Sequence, residues 1–332
     1  RAMAFDQGTS ELTTPSIADL GAALEHDDTI VWIDLDQYDE LELSEVAALA
    51  GLHPLAVEEC RAEHDRPTLL DFDDQIFIEV AALEYWDSEH GVAINPIRIF
   101  ILPRAIVTVH EERRPGVDAT WEWALREPHV LDGGADVILN RVLKEVVDRY
   151  FPLVDQLEMY IEDLEDRVFD EEEAALEHVV EVRKDIQELR QTSAAQRQVL
   201  RQLCAYPRGL LSEDALVYTR EIYDDVARVE DAMISVREHS NALRELHMAV
   251  ASNRLGRKVQ LLTVVATIFV PLTLLSGIYG MNFEHIPFAS SPYGFHITVA
   301  GMTVVGVVCW LIARSRLLSY PHPTIGGRLG TH

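Results

Sequence analysis

From Val259 to Phe283 the chain has no Asp, Glu, Lys or Arg. About 20 apolar residues in a helix are enough to cross a bilayer, and a core helix of a soluble domain is rarely so long and so free of charge. The stretch is nevertheless not uniformly bulky. Thr263, Ala266, Val270, Thr273 and Gly277 recur at spacings of three and four, which places small and hydroxyl-bearing side chains on one helical face. Leu261, Val265, Ile268, Leu272 and Leu275 fall mainly elsewhere. In membrane helices such a stripe marks either a packing seam or a path for water.

A second apolar stretch, 295–313, follows a short connection that contains Pro287 and Pro292. The pair reads as a hairpin of two membrane spans. Arg254, Arg257 and Lys258 precede the first span, Arg314 and Arg316 close the second, and the loop between holds neither Lys nor Arg. The positive-inside rule then places both termini in the cytoplasm and the loop outside an inner (plasma) membrane. Residues 1–14 contain no apolar run and are not expected to act as a signal peptide.

The remainder divides by character. Residues 1–134 read as a cytoplasmic α/β domain. Strands are expected at Thr29–Leu35, Gln75–Ala81, Ile97–Leu102 and Ala105–His110, all rich in β-branched residues. Helices are expected over Ser44–Ala50, with Ser44 as N-cap, and from Pro54, whose fixed φ suits a first turn. Residues 135–257 read as a helical stalk. Leu153, Leu157, Ile161, Leu164 and Val168 form one apolar face, and Val182, Ile186, Leu189 and Leu200 another. From Glu213 to Val270 there is no Pro and only one Gly, Gly256. A single helix is expected to run from the stalk into the first span, 258–282, on the order of 80 to 100 Å long. The alternative is two helices hinged at Gly256. Residues 283–294 would be the external loop, 295–313 the second span and 314–332 a cytoplasmic tail.

With 56 acidic against 28 basic side chains, the formal net charge is -28. Nucleic acid, whose phosphates need Lys and Arg, is excluded as a partner, and so is broad docking on anionic lipid. Cys60, Cys204 and Cys309 are scattered, without zinc-ligand spacing. His53, His64 and His110 are likewise separated, and no nucleophile–base cluster or Gly-rich phosphate loop occurs. An enzyme is not expected.

Ala266-Thr267-Ile268-Phe269-Val270-Pro271-Leu272-Thr273, running on to Gly277-Ile278-Tyr279-Gly280-Met281-Asn282-Phe283, resembles the first membrane helix and Gly-Met-Asn signature of the CorA magnesium channel family. The soluble region is similar too, in the order His53-Pro54-Leu55, Glu58-Glu59, Arg66-Pro67 and Phe72-Asp73-Asp74. The resemblance implies a funnel-shaped homopentamer of α/β domains, long helical stalks and two C-terminal membrane helices. It implies passive uptake of hydrated Mg2+ through a pore lined by the first span, with Gly280, Met281 and Asn282 as selectivity filter. Thr263, Ala266, Val270, Thr273 and Gly277 would face the axis, and Val259 and Leu262 would form an apolar constriction. Glu284 would stand at the external entrance. Regulatory Mg2+ would bridge Glu59, with Glu58, to Glu221 of a neighbouring subunit.

The chain departs from the family pattern at several points. Glu221 stands where the family commonly has Asp. Gly256 replaces an Asn one turn before the constriction. Arg257 and Lys258 bring positive charge to the inner mouth, and the basic run after the second span is reduced to Arg314 and Arg316. Two other readings compete: a zinc, cobalt or nickel transporter on the same scaffold, and a membrane-anchored oligomeric sensor or scaffold. Met281 favours magnesium, because zinc-transporting relatives usually vary the middle residue of the tripeptide.

Overall fold

The computed structural model describes residues 1–62, 66–87, 91–169, 175–206, 209–281 and 292–318. They form two compact units, Arg1–His247 and Met248–His332. The first is built on a seven-stranded sheet of order β2-β1-β3-β7-β6-β5-β4. Its strands are β1 (Ala2–Asp6), β2 (Glu11–Thr13), β3 (Thr29–Asp36), β4 (Thr68–Asp71), β5 (Ile76–Asp87), β6 (Gly91–Ile101) and β7 (Ala105–His110). Only the central β3–β7 pair is parallel. Helices cover both faces, so central strands must be apolar on both sides. In β3, Ile30 and Trp32 enter one core while Val31, Ile33 and Leu35 enter the other.

On the second of these faces lie α1 (Ile17–Glu25), α2 (Glu40–Ala50) and α3 (Pro54–Cys60), which contribute Leu20, Leu43, Val46, Ala56 and Val57. The opposite face carries α4 (Pro115–Arg126), α5 (Ala135–Asp148), α6 (Tyr150–Phe169), α7 (Ala175–Cys204) and the start of α8 (Glu213–Tyr279). The expected apolar faces are buried there: Leu153, Leu157, Ile161, Leu164 and Val168 of α6, and Val182, Ile186, Leu189 and Leu200 of α7. Residues 1–134 and the stalk up to Leu243 thus share one continuous core.

The α2 boundary differs from the sequence expectation. Asp39 is the N-cap, accepting from the Leu41 and Glu42 amides, while the Glu42 carboxylate accepts from the Asp39 amide. Such a reciprocal box outcompetes a lone serine. Ser44 lies one turn inside, its hydroxyl donating to Glu40 O at 2.7 Å. β1, β2, β4, α1 and α4 are additions that periodicity does not mark. β1 and β2 are too short for an alternating pattern, and β1 is buried because it pairs with β3.

Two buried polar groups are built into the sheet. Arg98 on β6 donates to Glu79 on β5 at 2.9 Å and to Ala62 O at 3.2 Å, just beyond α3. Asp34 on β3 accepts from the Thr108 hydroxyl at 2.5 Å, lies 3.0 Å from His110 Nε2, and is 2.7 Å from Arg1 Nε. Burial alone would raise the Asp34 carboxyl. The contacts with His110, Thr108 and Arg1 outweigh it and hold the pKa below the usual carboxylate range.

Breaking one partner of a buried ion pair leaves an uncompensated charge. Arg98→Met is therefore expected to destabilise this unit by about 3–5 kcal/mol in denaturant unfolding, and the Glu79→Leu/Arg98→Met pair by much less. Because the Asp34 pKa is depressed on folding, its stabilisation is complete above the unfolded value of about 3.9 and is lost as the pH falls through the lower folded value. Asp34→Asn should flatten the acid limb of a stability–pH profile while lowering stability at neutral pH.

Candidate functional site

α8 is one continuous helix of 67 residues with Pro271 inside it. It is unbroken at Gly256, as a single-helix reading of the sequence requires. Its C-terminal part and α9 (Gly294–Leu318) are long and apolar enough to cross a membrane, and their apolar windows are not buried inside the protein.

The two helices meet along defined faces. Gln260, Val264, Ile268, Pro271, Leu272 and Leu275 of α8 are half-buried, as are Thr298, Met302, Val305, Gly306 and Cys309 of α9. They come together at Gly306, where a Cβ would stand in ordinary contact, 3.7 Å, with Leu272 Cδ1. At about 100° per residue, the α9-facing set lies about 160° around α8 from the stripe of Val259, Leu262, Thr263, Ala266, Val270, Thr273 and Gly277. All seven stripe residues are exposed. α9 therefore covers the face of Ile268, Leu272 and Leu275 and leaves the hydroxyl-bearing stripe open, together with bulky neighbours such as Leu261, Phe269 and Leu274.

Towards its C-terminal end the open side carries a shallow, open groove lined by Phe269, Val270, Thr273, Leu274, Gly277 and Met281 among others. Val270, Thr273, Gly277 and Met281 were marked by the sequence. Phe269 and Leu274 were not, because bulk hid their position on the groove's flanks. Thr263 and Thr273 donate their hydroxyls to Val259 O at 2.9 Å and Phe269 O at 2.8 Å. This back-bonding removes unsatisfied donors from an apolar setting and leaves the oxygen lone pairs to meet a donor or a hydrated cation. The helix closes at Gly280, whose amide donates to Ser276 O at 2.9 Å and to Gly277 O at 3.1 Å. A Cβ there would lie 3.3 Å from Ser276 O, which a side chain would crowd. Met281 is exposed. Asn282 and Glu284 lie outside the described residues.

The acidic residues form a second candidate site. His53 caps α3, its Nδ1 accepting from the Leu55 amide at 3.2 Å, and the His53 amide donates to Gln75 Oε1 at 2.7 Å. His53 also stacks on Phe72 at 3.9 Å. With Ala56, Val57 and Cys60 buried, Glu58 is left exposed and Glu59 half-buried. Glu221 is exposed on α8, beside the buried Ile222. The sheet stands between them, because α3 packs in one core and Ile222 in the other. A single chain does not bring the three carboxylates together, and among the described residues no group of three His, Cys, Asp or Glu side chains is placed to hold a metal. Any metal bridge here needs a second copy. Burial pushes the Cys60 thiol up to about 11, which keeps it from serving as a thiolate ligand. His110 is held by Asp34 and the Glu112 carbonyl, and His64 lies outside the described residues.

Glu221 also lines a cavity of about 710 Å³ together with Trp123, Asn140, Arg141, Lys144 and Tyr218. Lys144 was not singled out by the sequence, since a lysine on an amphipathic helix carries no local signal.

The family model of the CorA-like Mg2+ transporter protein matches residues 27–314. The cobalt/magnesium transport protein CorA of Thermotoga maritima is 26% identical over 84% of this chain and 81% of its own length. The zinc transport protein ZntB of Klebsiella pneumoniae is 24% identical over 86% and 88%. Among solved structures, the complete CorA magnesium transporter of Methanocaldococcus jannaschii superposes with a TM-score of 0.80 at 21% identity, covering 94% of this chain and 97% of that one. The chain belongs to the CorA-like Mg2+ transporter family, whose members are membrane-embedded transporters of divalent cations rather than enzymes.

Proposed function

We propose that this protein is a passive channel for Mg2+ uptake, a homopentamer in the inner (plasma) membrane with both termini cytoplasmic. The observation that carries the reading is the uncovered stripe of α8, small and hydroxyl-bearing, ending at Gly280-Met281 and turned away from α9. Two spans cannot enclose an aqueous path, but a symmetric ring of such stripes can. Mg2+ surrenders its water reluctantly and demands near-octahedral geometry. A ring of neutral oxygens at Asn282, with Gly280 allowing close backbone approach, would hold the hydrated ion without stripping it. Glu284 would concentrate cations at the entrance. Thr263, Ala266, Val270, Thr273 and Gly277 would line the path, and Val259 and Leu262 would close it by dewetting. The driving force is the membrane potential, about 2.3 kcal/mol per charge per 100 mV and roughly twice that for a divalent ion.

Closure would be set by cytoplasmic Mg2+ bridging Glu58 and Glu59 of one subunit to Glu221 of the next. The separation of these groups within one chain fits a site completed only between copies. Glu221 supplies one carboxylate, and the neighbour's α3 supplies the others.

In proteoliposomes with an enclosed Mg2+ dye, we expect entry driven by a negative interior and largely lost in Asn282→Ala. Zinc entry that follows a proton gradient, without Mg2+ entry, would instead assign the zinc-transporting role of the ZntB relatives. Gly277→Leu separates a pore from a mere anchor. Among the described residues, and apart from the helix's own adjacent backbone, nothing lies within 4 Å of a Cβ at Gly277, and replacing Gly raises helix propensity by up to about 1 kcal/mol. The variant should fold and oligomerise normally yet lose at least tenfold in flux, whereas an anchor would be unaffected.

A further inference from the structure

The cavity beside Glu221 already contains a cation. Lys144, on α5, reaches across to α8, its Nζ lying 2.8 Å from Asp225 Oδ2 and 2.7 Å from Asp148 Oδ1. Asp225 is four residues beyond Glu221, so the ammonium is anchored on α8 one helical turn along from Glu221, and both line the same cavity. Asp225 is buried and is shared with Arg228. The two carboxylates outweigh the partial burial of Lys144, raise its pKa and keep it charged.

Other polar groups of the cavity are engaged elsewhere. Asn140 donates to Ala215 O at 2.9 Å and accepts from the Thr219 hydroxyl at 2.8 Å. Arg141 pairs with Glu145 at 2.7 Å and lies over the Trp123 ring at 5.3 Å. Asp214 lines the same cavity at the start of α8. Lys144 differs from Arg141, the other cation lining this cavity, in being anchored on α8 itself, through Asp225, one turn along from the carboxylate that a neighbour's α3 would face.

We propose that Lys144 is a tethered counter-ion of the Glu221 site and sets how much Mg2+ the protein needs for closure. The proposal rests on the reading that Glu221 meets Glu58 and Glu59 of a neighbouring subunit. Apposed carboxylates repel, and a fixed ammonium offsets part of that repulsion whether or not metal is present. The same charge opposes a divalent ion entering the site. By Coulomb's law, a unit charge about 7 Å from a divalent ion in a water-like dielectric weakens binding by about five- to tenfold. Lys144 therefore trades metal affinity for a subunit contact that is less dependent on metal.

The test uses the full chain in detergent and follows Mg2+-dependent protection from chymotrypsin, a protease whose cleavage sites these substitutions do not alter. Lys144→Gln removes the charge, and Asp225 keeps Arg228 as partner. Lys144→Arg keeps the charge, and Glu221→Ala removes the carboxylate. Thermal unfolding of each variant checks folding. We expect the Mg2+ midpoint of Lys144→Gln to fall about five- to tenfold, that of Lys144→Arg to stay near wild type, and protection to vanish in Glu221→Ala. A Mg2+ response in Lys144→Gln alone would support the same assignment in a stronger form. An unchanged midpoint in Lys144→Gln, with protection abolished in Glu221→Ala, would overturn the role of Lys144 and leave the sensor reading intact. Equal protection in wild type and Glu221→Ala, or none in any variant, would overturn both.

Discussion

An α-helix satisfies its own backbone, and that constraint makes the rest of this chain possible. Every interior amide and carbonyl of α8 finds its partner within the helix, except at Pro271. The helix can therefore pass from a water-facing environment to an apolar one without changing its hydrogen bonding; only its side chains need change. Up to Leu243 they alternate between a buried row of Ile222, Val226, Val229, Met233 and Val236 and a charged exterior. From Val259 charge disappears, and the distinction becomes one between a face of Ile268, Leu272 and Leu275 towards α9 and an open side on which small and hydroxyl-bearing residues are flanked by large apolar ones. A β-strand could not make this transition, because its edges would need partners at every depth.

The same accounting explains the hydroxyls. In the first unit, buried Thr108 and Thr219 act at a distance, reaching Asp34 and Asn140. In the apolar segment, Thr263, Thr267 and Thr273 turn inward to the preceding carbonyls. Where nothing else offers an acceptor, the backbone does. The result is a largely apolar stripe whose two hydroxyls, at Thr263 and Thr273, have their donors engaged and keep their acceptor lone pairs.

What could be read without coordinates was whatever repeats along the chain. The long helix, the two apolar spans, the stripe, the apolar faces of α6 and α7 and the four long strands all announce themselves by period or by absence of charge. What stayed hidden depends on partners remote in sequence. β1 exists because β3 lies beside it, and α2 begins at Asp39 because Glu42 completes a box that Ser44 cannot match. Glu58, Glu59 and Glu221 could be marked from the sequence, but not their placement on opposite sides of the sheet. Lys144 is one of three lysines in the chain, yet its interest comes entirely from reaching Asp225, 81 residues away.

Pro271 has a mechanical consequence. Its ring nitrogen bears no hydrogen, so the carbonyl of Thr267 loses the rung that an amide at 271 would supply. The Thr267 hydroxyl is already committed to Thr263 O. Bending stiffness in a helix comes from those rungs, and the turn between Thr267 and Pro271 is one short. This turn lies between Val259 and Leu262, the residues proposed as a constriction, and the Gly280-Met281 terminus, so flexure concentrated there can tilt one end of the stripe while the other keeps its own hydrogen-bonded turns intact.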